Sequence, residues 1–335
     1  IPRHKIYQDP NCAAKLWAAF DVSGDDVYYS DDGGETWTGV DDRSWEYHVS
    51  VDGSPNGYVH FVNRQSNGVR YERLYSQDGS NTFQDSGLFD DFGGAGATGN
   101  VCVNGSEVVV FTRETGVPNS TVNWHRSTDD GQTFGQSGDV TDVSHTHRIG
   151  SLVVDGNVTL VLWQDEGSVA SFTMYRWNGG AFERVDDVLQ TESGSEYTRE
   201  YAVTQDSSGY VHLVWWDDIT SEGPSLMHSY RELSGAWSTP QVVDSWNDQD
   251  ISPIITHRGD SVHVFYLYNN GTYTGIYHRS WNTEDGWDST RTEISSPGAD
   301  CRYPQTPQHV TATSQYIPVM WTQGNDIRFS AIEPN

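Results

Sequence analysis

Ser30-Asp31-Asp32-Gly33-Gly34-Glu35-Thr36-Trp37 and Ser127-Thr128-Asp129-Asp130-Gly131-Gln132-Thr133-Phe134 carry one pattern, Ser-x-Asp-x-Gly-x-Thr-aromatic, and Ser76-Gln77-Asp78-Gly79-Ser80-Asn81-Thr82-Phe83 is a degraded copy. In such a stretch the short Ser and Asp side chains bond nearby backbone N–H groups and Gly supplies the positive φ. The aromatic packs over the turn. The phrase therefore closes a hairpin with its own atoms and marks the junction of two antiparallel strands. Ser30, Asp32, Gly34 and Trp37 play these structural parts in one turn, and Ser127, Asp129, Gly131 and Phe134 in the other.

Outward from these turns the chain repeats a larger unit: a strand, a short Gly/Asn/Asp turn, a very apolar strand, a loop, a third strand and a hairpin. The apolar second strands align at Leu16–Phe20, Tyr58–Val62, Glu107–Phe111, Val158–Trp163, Tyr210–Trp215, Ser261–Tyr266 and Tyr316–Trp321. Seven such units in 335 residues give the period of roughly 40 to 50 residues that suits propeller blades. The expectation is an all-β, single-domain propeller over residues 1–335 with seven four-stranded blades; a count of six would make one unit an insertion. The last unit stops soon after its third strand, so its outer strand is either absent or supplied by residues near Ile1.

Composition agrees with strands and turns: 33 Gly and 13% aromatic residues, with no long apolar stretch at helical spacing. No apolar run is long enough to cross a bilayer, so membrane insertion is not expected. The chain begins at Ile1 rather than Met, so a targeting segment is expected to have been removed or to lie outside it, and the domain to be part of a larger chain or assembly. Forty-seven Asp and Glu against 19 Lys and Arg leave a net charge of -28. Such a surface repels a phosphate backbone, which excludes nucleic acid as a partner. It stays dispersed where salt screens it, in the manner of salt-in halophiles and their viruses, or belongs to an acidic secreted protein. Sequons at Asn104, Asn119, Asn157 and Asn270 fit a glycosylated extracellular, cell-surface or virion-surface location. Of the three cysteines, Cys12 and Cys301 lie in the first and last units, where either a clasp between them or free thiols would be compatible.

The turns at Ser30 and Ser127 resemble the Asp box of the sialidase-like, BNR-repeat propellers. The resemblance extends through the repeat to the whole chain, although the box stands in only three units. It implies the fold and a carbohydrate-active or carbohydrate-binding protein, since boxes serve enzymes, lectins and scaffolds alike.

In a propeller the starts of first strands and the ends of second strands emerge on one face around the axis. Arg3, Arg148, Arg199 and Arg302 enter first strands, and Arg64 and Arg113 leave second strands. Six of 17 arginines on one face of an acidic chain suggest a site for an anion, because a guanidinium grips a carboxylate or sulfate through two parallel hydrogen bonds. The bland reading is that they neutralise neighbouring carboxylates. Tyr47, His48, His147 and Tyr197 are the candidate catalytic residues, with Trp45, Trp215, Trp216 and Tyr268 as sugar-stacking aromatics.

The resemblance implies for a sialidase an arginine triad and a tyrosine nucleophile, for which Tyr197 and Tyr303 are candidates. The chain departs from that family in having Ile1-Pro2-Arg3 where Arg-Ile-Pro is usual. A likeness to propeller polysaccharide lyases would instead pair Tyr47 with His48, or Tyr197 with His145 or His147, for proton transfer. The competing class is a non-catalytic attachment module on a cell or virion surface, and a scaffold comes third. His60, His212 and His263 recur at one register and are expected to pack. No metal motif is present and no cofactor is required, though calcium is conceivable at Asp41-Asp42 or Asp217-Asp218.

Overall fold

The computed structural model describes residues 5–19, 27–41, 47–64, 68–76, 83–91, 97–114, 121–140, 146–165, 170–191, 200–219, 223–232, 235–245, 252–298, 300–324 and 326–333. Among them every regular element is a strand, and none is a helix long and apolar enough to cross a membrane. All seven apolar second strands form, over Leu16–Ala19, Tyr58–Arg64, Glu107–Glu114, Asn157–Asp165, Val211–Ile219, Ser261–Asn269 and Ile317–Gln323. Each is the second strand of its own antiparallel sheet, so the fold is a seven-bladed β-propeller rather than the six-bladed alternative.

Blades one to five are four-stranded meanders with strands in chain order. In blade six the outer position is shared by two short strands, Gly286–Trp287 and Thr292–Glu293, and His309–Val310 adds in parallel to the inner strand Ile254–Arg258. Blade seven has three described strands, Cys301–Gln305, Ile317–Gln323 and Asp326–Ile332, so its outer strand is missing among the described residues. Residues 1–4, the alternative source of that strand, lie outside the described set.

Second strands are continuous apolar runs because both of their faces are covered. Val158, Leu160, Val161, Leu162 and Trp163 are all fully buried, whereas the outer strand Gln136–Asp139 is mostly exposed and polar. Burying each large apolar side chain contributes about 1.5–3 kcal/mol.

The chain packs as two compact units, one of Arg3–Gln164 with Thr173–Asp186, the other of Ile1–Pro2, Asp165–Phe172 and Asp187–Asn335. In the first unit the inner strands are laced by side chains. Asn100 Oδ1 accepts from Ser151 Oγ at 2.8 Å, and Asp52 Oδ2 accepts from the Val103 N–H at 2.8 Å. In the second unit Thr204 Oγ1 donates to the Gln308 carbonyl at 2.7 Å, which leaves it to accept from His257 Nδ1 at 2.9 Å.

The two Ser/Asp turns have nearly identical geometry. Ser30 Oγ accepts from the Gly34 N–H at 2.8 Å, and Asp32 accepts from the Thr36 N–H at 2.9 Å and from Thr36 Oγ1 at 2.5 Å. Ser127 and Asp129 repeat this with Gly131 and Thr133 at 2.9, 2.8 and 2.7 Å. Trp37 Nε1 donates to the Gly34 carbonyl at 3.1 Å, and Phe134 meets Tyr71 edge-on with centroids 4.9 Å apart. Gly131 is obligatory there, because it has φ 72° and an added Cβ would overlap the Tyr71 hydroxyl. Of the degraded copy only Ser76 and Phe83 fall among the described residues.

All three cysteines are free, which corrects the clasp reading: Cys12 is exposed, whereas Cys102 and Cys301 are buried. The Cys301 side chain is part of the apolar core of the second unit and is spent on packing.

Candidate functional site

Inner strands of blades two, four and seven each carry a β-bulge near their entrance. The registers slip between His48 and Ser50, between Thr146 and Arg148, and between Arg302 and Gln305. A bulge places an extra residue opposite one partner and re-aims side chains, and such features concentrate beside functional sites. Five of the sequence candidates stand at them: His48 borders the first bulge, His147 occupies and Arg148 borders the second, and Arg302 opens the third with Tyr303 inside it.

At the third bulge the backbone is strained. Tyr303 has φ 54°, the left-handed region that a bulky residue avoids. Its ring is nevertheless 60% exposed, in a chain whose other large aromatics are mostly buried. The neighbouring Arg302 is also exposed and has no hydrogen-bond or ion-pair partner on its guanidinium among the described residues, while its carbonyl accepts from Thr322 Oγ1 at 3.2 Å. A strained aromatic presented to solvent beside an exposed cation makes this pair a candidate site.

The remaining candidates are placed as follows. In the first unit the ladder sets Tyr47 opposite Arg64 and His48 opposite Asn63, and Arg64 is exposed. Arg113 is only 4% exposed, and Arg148 is half-buried opposite Trp163. The exposed anion site expected from sequence therefore loses Arg113, because its strand buries both faces at that register. Trp215 and Trp216 are 1% and 3% exposed, so neither can stack on a sugar; Trp215 packs instead on Phe172 and donates Nε1 to Asp217 at 3.2 Å. One face of Tyr268 is covered by the Arg291 guanidinium 3.6 Å from the ring centre. Arg3, Tyr197, Arg199, His145 and Trp45 lie outside the described residues, as do the side chains of Tyr47, His48 and His147.

Titratable groups in the core are structural. His60 is bonded to the Tyr71 hydroxyl at 2.6 Å, His212 to His228 at 3.0 Å and His263 to His278 at 3.0 Å, one cross-strand pair in each of three blades. Burial pushes His60 and His263 down to about 3 and His278 to about 4. Burial also raises the Asp52 carboxyl to about 7, against the pull of the Gly53 and Val103 N–H groups. Both Asp52 oxygens are already bonded to backbone, which assigns it to lacing rather than chemistry. Among the described residues no group of three or more His, Cys, Asp or Glu could hold a metal ion.

Sequence reasoning missed one feature, a groove of about 540 Å3 at the outer hairpin of blade four, lined by Arg176, Trp177 and Arg184 among others. These arginines do not recur at a blade register, so the repeat carried no sign of them.

The class defined by this fold is that of β-propellers, and carbohydrate-active enzymes are among its solved members with similar structures. No protein-family model and no curated protein matches the chain. An ancestral GH74 enzyme superposes with TM-score 0.58 at 17% identity over 98% of this chain, which spans only 44% of that enzyme. A PL25 polysaccharide lyase, an ulvan lyase bound to -[GlcA(1-4)Rha3S]-, superposes with TM-score 0.65 at 11% identity over 99% of this chain and 94% of its own. YCF48 bound to D1 peptide superposes with TM-score 0.58 at 11% identity over 98% and 91%. Likeness at these identities establishes the fold.

Proposed function

We propose that this chain is an extracellular or particle-surface propeller of the Asp-box type that recognises acidic or sulfated glycans. The observation that carries the reading is the strained, solvent-presented Tyr303 beside the unpartnered Arg302. An exposed aromatic face stacks on the apolar face of a sugar ring, and an adjacent guanidinium takes a carboxylate or sulfate in two parallel hydrogen bonds. The rigid strand beneath holds both at little entropic cost.

Support comes also from the kinship of fold with the GH74 enzyme and the ulvan lyase, and from the two Ser/Asp turns that match the Asp-box pattern. The net charge of -28 suits a setting where salt screens the surface. On this reading Arg64 and Arg148 are separate candidate anion contacts of the first unit, and Tyr47, His48, His147 and Tyr197 are where turnover would be sought.

The test exposes the protein, in high salt, to sialylated, uronate-rich and sulfated polysaccharides while binding and product are recorded together. Arg302→Ala and Tyr303→Ala should each weaken binding by about tenfold or more, as expected for a charge-assisted contact or a stacked ring. Parental affinity in both variants, or no binding across the panel, would sink the reading. Product lost in the same variants would add catalysis to recognition.

A further inference from the structure

We propose that the groove at the outer hairpin of blade four is a second anion subsite, taking a sulfate ester or carboxylate carried on a saccharide chain. It is built entirely within the first unit. It needs nothing from the Arg302–Tyr303 site and shares with the reading above only the chemical class of ligand.

The hairpin joins Ala170–Trp177 to Phe182–Gln190. Its turn is rigid: Asn178 Oδ1 accepts from the N–H groups of Gly180 at 2.8 Å and Ala181 at 2.9 Å, and the Asn178 N–H returns to the Ala181 carbonyl at 3.0 Å. Trp177 forms the wall of the groove. It is locked edge-on against Trp124, with centroids 5.0 Å apart, and tilted against Phe182 at 5.2 Å. Ligand binding here would therefore order little that is not already ordered.

Charge decides the ligand. Three arginines surround Trp177, but they are not equivalent. Arg126, 5.0 Å over the ring, is committed to Glu107 at 2.5 Å and Gln136 at 2.7 Å. Arg176 and Arg184 line the groove and have no hydrogen-bond or ion-pair partner among the described residues. Glu183 lines the same groove and pairs with neither. On a chain with 47 acidic residues and only 17 arginines, two guanidiniums in one concavity that pair with no described carboxylate stand out.

A volume of about 540 Å3 lies within the range of roughly 300–1,000 Å3 usual for small-molecule sites. Two planar forks suit an anion held on a sugar; Trp177 is only 9% exposed, so its indole edge bounds the groove and offers no face for stacking. The saccharide carrier is the one proposed above, and the guanidiniums take its carboxylate or sulfate.

The experiment uses the whole chain made without N-glycosylation, because Asn157 also lines the groove and heads a sequon. Calorimetric titrations with a sulfated oligosaccharide, a uronate oligosaccharide and a neutral one of equal length are paired with the 15N indole signal of Trp177, assigned with Trp177→Phe. The charged probes should bind and move that signal, and the double variant Arg176→Ala/Arg184→Ala should raise their Kd at least tenfold with an unchanged melting temperature. Whichever charged probe binds more tightly identifies the anion. Arg184→Glu, at an exposed position, should do the same and guards against misfolding of the double variant. Parental affinity in both variants, or an equal shift of the Trp177 signal by the neutral probe, would overturn the subsite. Complete loss of binding in Arg302→Ala with none in the double variant would remove this subsite while leaving the first reading intact; the converse would remove the first and leave this one.

Discussion

His228 donates through Nε2 to Nδ1 of His212 at 3.0 Å, the two rings lying 7° from parallel. The pair is the middle of a directed chain. Trp287 Nε1 donates to His228 Nδ1 at 3.3 Å, and His212 Nε2 donates to Asp206 Oδ2 at 3.1 Å. An indole can only donate and a carboxylate can only accept, so the ends set both rings as neutral Nε2–H tautomers. His228→Leu leaves His212 Nδ1 and the Trp287 N–H unmatched in the core. It should cost about 2–4 kcal/mol of stability, read by urea unfolding; a loss below about 0.5 kcal/mol would mean that the chain carries no weight.

Acid should unfold the protein early. His60, His212, His228, His263 and His278 all have pKa values lowered by burial. The unfolded chain takes up protons near 6.5 while the folded chain refuses them, so stability is complete above that pH and is lost as pH falls towards 3 or 4. Each such histidine contributes up to about 1.4 kcal/mol per pH unit in that window. Asp52, raised to about 7 by burial, acts in the opposite sense, its contribution being lost as pH rises from about 4 to 7. With His257 and His309, also lowered by burial, seven histidines stand against one carboxyl, so melting temperature should be flat between about pH 7 and 8 and drop steadily below 6.5.

Gly33 and Gly131 separate backbone strain from steric contact. Their φ angles are close, 75° and 72°, but a Cβ at Gly33 meets nothing within 4 Å whereas one at Gly131 overlaps Tyr71. Gly33→Ala should cost about 1–2 kcal/mol for left-handed strain alone. Gly131→Ala should cost about 2–4 kcal/mol, because displacing Tyr71 also breaks its bond to His60. Equal losses in denaturant titrations would argue against the packing of that turn on blade two.

Tyr303→Gly should part stability from binding. Glycine accepts φ 54° without a clash, so the variant should match the parent or gain about 1 kcal/mol, while glycan affinity falls at least tenfold. A large loss of stability would make Tyr303 a packing residue.

Low salt should weaken the fold, because the net charge of -28 is then unscreened. Melting temperature is expected to rise by about 5 °C or more between 0.05 and 2 M NaCl, and a flat profile would show that local pairing already disperses the repulsion.

The amino-acid order alone determined the seven apolar second strands and the two Ser/Asp turns. Both are written in local terms: a run such as Val158–Trp163 needs two covered faces, and a turn such as Ser30–Trp37 satisfies itself with atoms a few residues apart. The packing role of His60, His212 and His263 was legible as recurrence, but their partners Tyr71, His228 and His278 were not, since cross-strand register joins them. Only tertiary structure decided which arginines and aromatics reach solvent. Arg113 and Arg302 look alike in sequence, yet one is enclosed by neighbouring strands while a bulge turns the other outward beside Tyr303. Arg176 and Arg184 gained meaning only when a hairpin folded them around Trp177. Exposure and the absence of a counter-ion depend on everything packed nearby, and a linear pattern of residue types does not encode them one position at a time.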